Sequence, residues 1–523
     1  MTEAASYRET AVMHTFLGRN KKLVVIFVCA VVVRLIQVFL VYTISGDGPI
    51  YIEIAKNFYQ GDFRGGLAFE YPPAYPLFIS AAYSVTRDWL IAGRLVSFIF
   101  GILTIFPIYF MTKELFGEKV ANLTSVFFVF QPLVSNYAVR VISEPTYVFF
   151  FVCAVWLSWK AISGFIYPLY FAAGAMSGFS YLIRPEGLGV AIVSCLCILF
   201  YDLLNIKQNY KRKTAQICVL ALGVLVFVSP YVLHIRNETG QWKLSKKKSI
   251  VTAITGETLG DSITDASVQA WARIPAYSSM EEGYLKTFLG LIIVFVITFH
   301  CLLFLLLIIC LVGRKEISVQ GRYEMFICLI IIFYFLVFSL FYVSDRHLIP
   351  LVSICLFWSA IGFYVVYRYI LKKIPPRKIE KMPKLPGRIF ALLLMVVILS
   401  LLPQAMRPQD RDKIGRKKVG LWMRENCEKS PCIFTDSLRL AFYAGAEAVR
   451  FQNRPGIDKY EDLIKFVTSS KKGIDYIVID KSTIWRYCPD FLDSINSSDL
   501  EVIHIQPKLE HSAYGELIVY KVK

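Results

Sequence analysis

Residues 23–49, LVVIFVCAVVVRLIQVFLVYTISGDGP, form an apolar run that ends in a glycine-containing turn with one acid. The run from Leu23 to Ile44 is long enough to cross a bilayer, which takes about 20 apolar residues. No small-residue cleavage site follows it, so we interpret it as a membrane span and not as a cleaved signal. Asp47 is therefore predicted to lie on a rigid turn at the edge of the apolar core.

The rest of the chain has the composition of a membrane protein. Of its 523 residues 56% are hydrophobic and 18% are charged, whereas soluble proteins average roughly 25% charge. Eleven apolar stretches are candidate spans: Leu23–Ile44, Trp89–Met111, Val120–Val139, Thr146–Ala161, Leu169–Ile183, Leu188–Leu204, Ile217–Leu233, Phe288–Leu311, Met325–Val343, Leu348–Val366 and Ile389–Leu402. We therefore expect a mostly α-helical, polytopic membrane protein with about 11 transmembrane helices.

The net charge of +18 fits the same class of protein. Lys and Arg accumulate in the cytoplasmic loops of membrane proteins, and a cytoplasmic N-terminus places the dense basic run of residues 368–388 on that side. No nucleic-acid-binding motif accompanies the charge, so nucleic acid is not an expected partner. An odd number of spans predicts an extracytoplasmic C-terminus.

The composition changes to that of a soluble domain after Pro403. We expect a membrane domain over residues 1–406 and a small extracytoplasmic α/β domain over residues 407–523. Strands are predicted at Pro431–Asp436, Ile474–Asp480, Leu500–Gln506 and Glu516–Val522, and helices at Leu438–Val449 and Tyr460–Thr468. Two roles are open for this domain: it presents the acceptor, or it only braces the membrane loops. Cys427 and Cys432 are equally consistent with a disulfide and with free thiols.

The first outer loop carries two acids in distinctive settings. Ile50, Ile54 and Phe58 recur at helical spacing and predict a short amphipathic helix in the membrane interface. The later segment Glu70-Tyr71-Pro72-Pro73-Ala74-Tyr75-Pro76 contains three prolines in five residues, which predicts a stiff turn before another helix. Asp47 suits either a helix N-cap or a reactive carboxylate. Glu70 suits either a reactive acid or an exposed loop acid.

Other charged residues fall at the outer junctions between predicted spans. They are Arg140 with Glu144, Arg184 with Glu186, and Asp345 and Arg346 with His347. Charges so close to the hydrocarbon are costly and usually line a polar cavity. The sequence therefore predicts that these residues share one site for an anionic ligand with the two acids of the first loop.

In its first half the sequence resembles the GT-C membrane glycosyltransferases. The resemblance rests on Asp47 after the first span, on the helix with Tyr51 and Ala55, and on the Glu70-Tyr71-Pro72-Pro73 turn. Glu144-Pro145 and Arg346-His347-Leu348-Ile349-Pro350 resemble later junctions of these enzymes. Within the superfamily the chain is most similar to the family 39 type, which includes protein O-mannosyltransferases, the lipid A aminoarabinose transferase and the rhizobial galacturonosyltransferase-like group.

The resemblance implies a reaction and the residues that perform it. Such enzymes move a sugar from a polyprenyl-phosphate carrier, with inversion, to a lipid, glycan or protein acceptor on the extracytoplasmic face. Asp47 falls on the family's catalytic aspartate, and Glu70 falls on the acid of its proline turn. The lysine of that turn is Tyr71 here, so a different cation must hold the donor phosphate. The arginines of the outer junctions are the candidates: Arg140, Arg184 and Arg346.

The implied chemistry needs no metal, and none is expected as a cofactor, since the sequence has no His/Cys/Asp cluster with metal-ligand spacing. The family and the exported C-terminal domain make a bacterial inner membrane the expected location. Two other classes of function are open: a transporter or flippase of a lipid-linked sugar, and a non-catalytic membrane scaffold. The basic segment at residues 242–248 is either a docking site for an anionic acceptor or lipid headgroups, or a solvated charge run.

Overall fold

The computed structural model describes residues 21–200, 209–246, 284–313, 321–340, 344–449, 460–469, 473–482, 484, 488, 491–494, 499–512 and 514–523. They form two compact units. The first takes the described residues of Met1–Gln37, Ile54–Val139 and Ser143–Arg407. The second takes those of Val38–Glu53, Arg140–Ile142 and Pro408–Lys523, so two short loops from the membrane-spanning part of the chain belong to it.

Apolar helices dominate the first unit. In chain order the helices up to residue 405 are α1 (Lys21–Phe39), α2 (Gly48–Tyr59), α3 (Phe63–Leu67), α4 (Ala74–Thr86), α5 (Trp89–Leu103), α6 (Ile105–Phe116), α7 (Glu118–Phe130), α8 (Pro132–Tyr137), α9 (Glu144–Gly164), α10 (Tyr167–Tyr181), α11 (Gly189–Leu199), α12 (Tyr210–Thr239), α13 (Tyr284–Phe299), α14 (Cys301–Val312), α15 (Gly321–Phe338), α16 (Asp345–Lys372), α17 (Pro376–Lys381) and α18 (Leu385–Ala405). Helix α2 begins in the second unit and ends in the first.

Seven helices in the described residues are long and apolar enough to cross a membrane, counting α5 and α6 as one, and the number is eight if the pair α13–α14 is one broken span. The chain is thus a multi-pass membrane protein. The predicted number of eleven is not reached in the part of the chain described. The eighth predicted span bends by 105° at His300. The third and fifth predicted spans form shorter helices, each of 15 residues or fewer. The described part of the sixth forms the short helix α11, and residues 201–204 of that span lie outside the described residues.

The third predicted span is interrupted by a proline. Pro132 lacks a backbone N–H and forces the preceding residue into an extended conformation, and Gln131 has φ −60° and ψ 121°. Helix α7 therefore stops at Phe130. Arg34 of α1 has no exposed surface and stabilises this break, since its Nη1 donates to the carbonyl of Val129 at 2.8 Å and to Ser135 Oγ at 2.7 Å. A cation is favourable at the C-terminal end of a helix.

Close helix packing in the first unit depends on glycine. Gly362 of α16 lies against α14 so tightly that a Cβ there would be 1.8 Å from the carbonyl oxygen of Leu306. The obstacle is backbone, which cannot move aside as a flexible side chain does. Small residues allow this kind of approach between membrane helices.

Replacing Gly362 with alanine is therefore expected to destabilise the first unit by about 1–3 kcal/mol, the usual cost of overpacking. Gly387→Ala is the matched control, because nothing lies within 4 Å of a Cβ built at that helical glycine. Thermal unfolding of the purified full-length protein in detergent measures both variants. Equal midpoints would contradict the packing described here.

The second unit is a small α/β domain, as the sequence predicts. Its elements after residue 407 are the 3-10 turn Arg411–Lys413, α19 (Ile414–Asn426), β1 (Cys432–Thr435), α20 (Leu438–Ala444), β2 (Glu447–Val449), α21 (Tyr460–Ser469), β3 (Tyr476–Asp480), α22 (Phe491–Ser494), β4 (Leu500–Gln506) and β5 (Leu517–Val522). The strand order is β2-β1-β3-β5-β4, with β1 parallel to β2 and β3 and the remaining pairs antiparallel.

Two elements of this unit differ from the prediction. The predicted helix Leu438–Val449 ends at Ala444, because Gly445 adopts φ 65° and closes it as a left-handed C-cap. The residues that follow form the edge strand β2. The sequence pattern also missed α19, which packs Val419 and Met423 against the sheet core. The twelve cysteines are all described, and none of them forms a disulfide in this structure.

Candidate active site

A buried ion pair is the centre of the site in the first unit. Arg184 Nη1 lies 2.6 Å from Glu144 Oε1, and Glu144 and Arg184 are 1% and 8% exposed. Arg346 approaches the same carboxylate oxygen with its Nε, at 3.7 Å. Two guanidiniums, one from the loop after α10 and one from the first turn of α16, therefore converge on one carboxylate.

A second acid completes the cluster. Glu186 Oε1 lies 3.4 Å from Arg184 Nη2 and 3.9 Å from His347 Nε2. The phenol of Tyr334 donates to the backbone carbonyl of Glu186 at 2.6 Å. The carboxylates of Glu144 and Glu186 thus face the guanidiniums of Arg184 and Arg346. The two arginines differ in exposure, since the side chain of Arg346 is 35% exposed and that of Arg184 only 10%.

Glu144 and Arg346 both lie at the N-terminal ends of helices. Glu144 is the first residue of α9 and is followed by Pro145, a favourable pair at a helix N-terminus because proline has no N–H to leave unpaired and a carboxylate complements the helix dipole. Arg346 is in the first turn of α16, after the capping residue Ser344. Its charge opposes the dipole there, and the nearby Glu144 offsets that cost.

A glycine holds the Arg184 loop against α10. Arg184 is extended (φ −149°, ψ 132°), as expected before Pro185. A Cβ at Gly187 would lie 2.4 Å from the backbone of Ser180, and Ser177 Oγ donates to the Gly187 carbonyl at 2.7 Å. The loop therefore folds back onto the helix that precedes it, which fixes the guanidinium.

The proline turn of the first outer loop is attached to the same place. The amide of Ala74, directly after Pro72-Pro73, donates to the carbonyl of Leu182 at 2.9 Å. That carbonyl is two residues before Arg184. Glu70, four residues before the anchored amide of Ala74, is exposed, and Tyr71 is half-buried.

Asp47 belongs to the second unit. It directly precedes α2, and its backbone carbonyl accepts the first helical hydrogen bond, from Tyr51 N at 3.1 Å. The residue therefore occupies the N-cap position, one of the two readings that the sequence leaves open. Its side chain is half-buried. Its catalytic role stays a prediction.

Arg140 also belongs to the second unit, where it pairs with an acid from the C-terminal part of the chain. Its Nη2 lies 2.8 Å from Asp410 Oδ2. Asp410 Oδ1 receives Lys413 Nζ at 2.9 Å and Arg439 Nη2 at 3.4 Å. Burial by itself raises the pKa of the Asp410 carboxyl, but the charges of Arg140, Arg439 and Lys413 outweigh it and hold that pKa well below its usual range.

Asp410→Asn is expected to destabilise the second unit by about 3–5 kcal/mol, because it leaves buried cations without their acid. The folded pKa lies below the unfolded value of about 3.9. The stabilisation is therefore complete above the unfolded pKa and is lost only as the pH falls through the folded one. The difference in thermal midpoint between wild type and variant should be the same at pH 8 and pH 6. The exposed Glu425→Gln is the control, and an unchanged midpoint in Asp410→Asn would refute this assignment.

The predicted site residues thus form two sets. Glu144, Arg184, Glu186, Arg346 and His347 meet in the first unit, whose proline turn adds Glu70 and Tyr71; Asp47 and Arg140 are in the second unit. Sequence reasoning missed Asp410, Arg439 and Tyr334. Asp410 is 270 residues from Arg140 and is one acid among many charges, so no local pattern distinguishes it.

Two further expectations concern the outer loops and metals. Of the basic segment 242–248, residues 247 and 248 lie outside the described part. Lys246 is held in place, since its Nζ donates to the carbonyl of Leu67 at 2.6 Å and pairs with Glu238.

Among the described residues no group of three or more His, Cys, Asp or Glu side chains is arranged to hold a metal ion. Metal independence stays a prediction.

Solved structures share this architecture. ArnT from Cupriavidus metallidurans bound to undecaprenyl phosphate is similar over 95% of this chain and 98% of its own, with a TM-score of 0.61 and 14% identity. The chain has the GT-C fold. The GT-C oligosaccharyltransferase of Archaeoglobus fulgidus in the apo form has a TM-score of 0.56 and 12% identity, over 94% of this chain and 74% of its own. The same archaeon's AglB, in complex with an inhibitory peptide and a dolichol-phosphate, gives 0.52 and 14%, over 96% and 74%.

The sequence itself matches a family model. Residues 70–234 match the model of dolichyl-phosphate-mannose-protein mannosyltransferases. This segment begins at Glu70 and includes Glu144, Arg184 and Glu186. No curated protein matches the chain. The expected GT-C fold is confirmed by the similar structures, and the sequence match falls on the part of the chain that holds most of the cluster.

Proposed function

We propose that this GT-C protein is an inverting glycosyltransferase that takes a sugar from a polyprenyl-phosphate carrier. The buried cluster of Glu144, Arg184 and Arg346 carries the proposal, because guanidiniums held in place by a buried carboxylate suit a lipid phosphate leaving group. The family match over residues 70–234 supports it. So do the undecaprenyl phosphate and the dolichol-phosphate that two of the similar structures bind.

The two arginines of the cluster have different proposed roles. Arg184 is enclosed between Glu144 and Glu186, so its charge is already matched, and it acts as the anchor of the cluster. Arg346 is the more exposed cation and sits farther from its acid, at 3.7 Å. Arg346 is therefore the main candidate for the donor phosphate, with His347 and Tyr71 beside the donor. Arg140 is a weaker candidate, since Asp410 already balances its charge.

The proposed chemistry requires one base. The acceptor hydroxyl attacks the anomeric carbon from the face opposite the phosphate, the bond from that carbon to the phosphate oxygen breaks, and the hydroxyl proton passes to a carboxylate. Asp47 is the proposed base, and Glu70 the acid that orients the sugar or the acceptor. The bond electrons leave with the lipid phosphate, and Arg346 stabilises the resulting negative charge.

Transfer takes place on the extracytoplasmic face, in a bacterial inner membrane, with the N-terminus in the cytoplasm. The acceptor is a lipid, a glycan or a protein.

Lipid analysis in a host that makes polyprenyl-phosphate sugars tests this proposal. Membranes with the wild-type chain and membranes with an empty vector are extracted, and each polyprenyl-phosphate sugar is quantified by mass spectrometry. The wild-type chain should deplete one such lipid, whose mass gives the class of sugar. Identical lipid profiles at confirmed protein expression would overturn the proposal. A change only in which membrane leaflet holds the lipid would favour a flippase.

A further inference from the structure

Side chains from the C-terminal part of the second unit hydrogen-bond to the loop that carries Asp47. The amide of Ile44 donates to Tyr443 Oη at 2.8 Å, and Arg439 Nε donates to the carbonyl of Ile44 at 2.8 Å. Both side chains come from the short helix α20, one turn apart. They bind both polar backbone groups of a residue three positions before Asp47. Ile44, Arg439 and Tyr443 are buried, so water does not compete for these bonds.

Further contacts fix the approach to this loop. The amide of Tyr42 donates to the Gln409 carbonyl at 3.2 Å, and the amide of Gln409 donates to Leu40 O at 2.8 Å. Lys417 Nζ donates to the carbonyl of Tyr42 at 3.2 Å. The chain from residue 40 to residue 44 is thus bound at its backbone by residues of the 408–443 region. Such backbone bonding leaves the last residues before Asp47 little freedom.

Asp410 connects these contacts to the loop of residues 140–142. Its carboxylate pairs with Arg439, which binds the Ile44 carbonyl, and also with Arg140 of that loop. The two loops also touch directly, because Ser45 Oγ donates to the carbonyl of Val141. Gly46, next to Asp47, lies against the Arg439 guanidinium, since a Cβ there would be 3.5 Å from its Nη2. Arg439 therefore has a fixed position between Asp410 and the backbone that leads to Asp47.

We propose that Arg439 and Tyr443 are positioning residues that hold the Asp47 loop in its working geometry. The α/β unit then contributes to catalysis by positioning the Asp47 loop, whether or not it also presents the acceptor. The inference rests on the proposed function, because it takes Asp47 as the base. Misplacement of a reacting group by about 1 Å costs roughly 100-fold in rate, so a small loosening of this loop has a large effect on transfer and little on donor binding.

Hydrogen exchange and kinetics on the purified full-length protein test this proposal. Tyr443→Phe keeps the ring but removes the acceptor of the Ile44 amide, and Arg439→Gln removes the donor to its carbonyl. Exchange in peptides covering residues 40–48 should become roughly fivefold faster in each variant, the effect of one lost hydrogen bond. The rate of transfer at saturating donor lipid should fall about tenfold or more, with KM for that lipid within about twofold of wild type. Arg439→Lys keeps the charge near Asp410 and should be intermediate.

The matched control is Arg424→Gln, since Arg424 is an exposed arginine of the same unit; it should change neither exchange nor transfer. Unchanged exchange over residues 40–48 in both variants would overturn the inference. Faster hydrogen exchange together with a wild-type rate of sugar transfer would also overturn it. The same holds for a rise in KM for the donor lipid as large as the fall in the transfer rate. If the wild-type protein itself transfers no sugar, the proposed function fails, and the inference fails with it. That outcome is read from the wild type alone and is distinct from the others.

Discussion

Asp47→Asn is expected to reduce the rate of sugar transfer by about 100- to 10,000-fold, the usual contribution of a general base. The amide keeps the size and the N-cap capacity of the aspartate, so the fold should be preserved. It cannot accept the proton of the acceptor hydroxyl. In membranes, the donor lipid should accumulate in the variant relative to the wild type at equal protein level, as measured by mass spectrometry of extracted lipids.

Glu53→Gln is the control for Asp47→Asn. Glu53 is an exposed acid of the same helix α2, and its loss changes the net charge by the same amount. It should leave transfer unchanged. Normal transfer by Asp47→Asn would remove Asp47 as the base and would leave Glu70 as the other acid of the first loop that the family resemblance implicates. A loss in both variants would point to the charge of the loop and not to proton transfer.

Arg184→Gln is expected to destabilise the first unit more than any other change proposed there. It leaves Glu144, which is 1% exposed, as a buried carboxylate without its 2.6 Å partner. Breaking a buried pair from one side costs about 3–5 kcal/mol. Transfer should fall as well, because Glu144 also contacts Arg346. Thermal unfolding of the purified protein and the lipid profile of its membranes measure the two effects.

The double variant Glu144→Gln/Arg184→Gln separates stability from function. Removing both charges relieves the penalty of the unpaired carboxylate, so the double variant should be more stable than Arg184→Gln alone. Its transfer should stay low, since the cluster that orients Arg346 is gone. A double variant as unstable as the sum of its parts would show that the two residues are not coupled. Recovery of transfer along with stability would give the pair a purely structural role.

The sequence predicts the contacts that follow from membrane physics. Charges at span ends are expensive unless they meet partners, and on that ground alone Glu144, Arg184 and Arg346 are expected together. The spans with unbroken apolar runs, such as Lys21–Phe39 and Glu144–Gly164, are likewise evident from hydropathy. These features depend on local composition, which a single sequence displays directly.

Other features are not visible in hydropathy or in local composition. Hydropathy does not register Pro132, which ends α7, because the segments on both sides of Gln131-Pro132 are apolar. The partnership of Arg140 with Asp410 joins residues 270 positions apart. The grip of Arg439 and Tyr443 on Ile44 uses backbone groups, which every residue possesses, so no side-chain pattern marks that segment as bound.

Release of the free carrier lipid tests the claim that this chain transfers a sugar from a polyprenyl-phosphate carrier. Purified wild type and Asp47→Asn are each reconstituted with a membrane lipid extract that contains polyprenyl-phosphate sugars and potential acceptors. Mass spectrometry then follows both the sugar-bearing lipid and free polyprenyl phosphate with time. The wild type should convert one sugar-bearing lipid to free polyprenyl phosphate, and the variant should not. Equal lipid levels with both proteins and with no protein would contradict the claim.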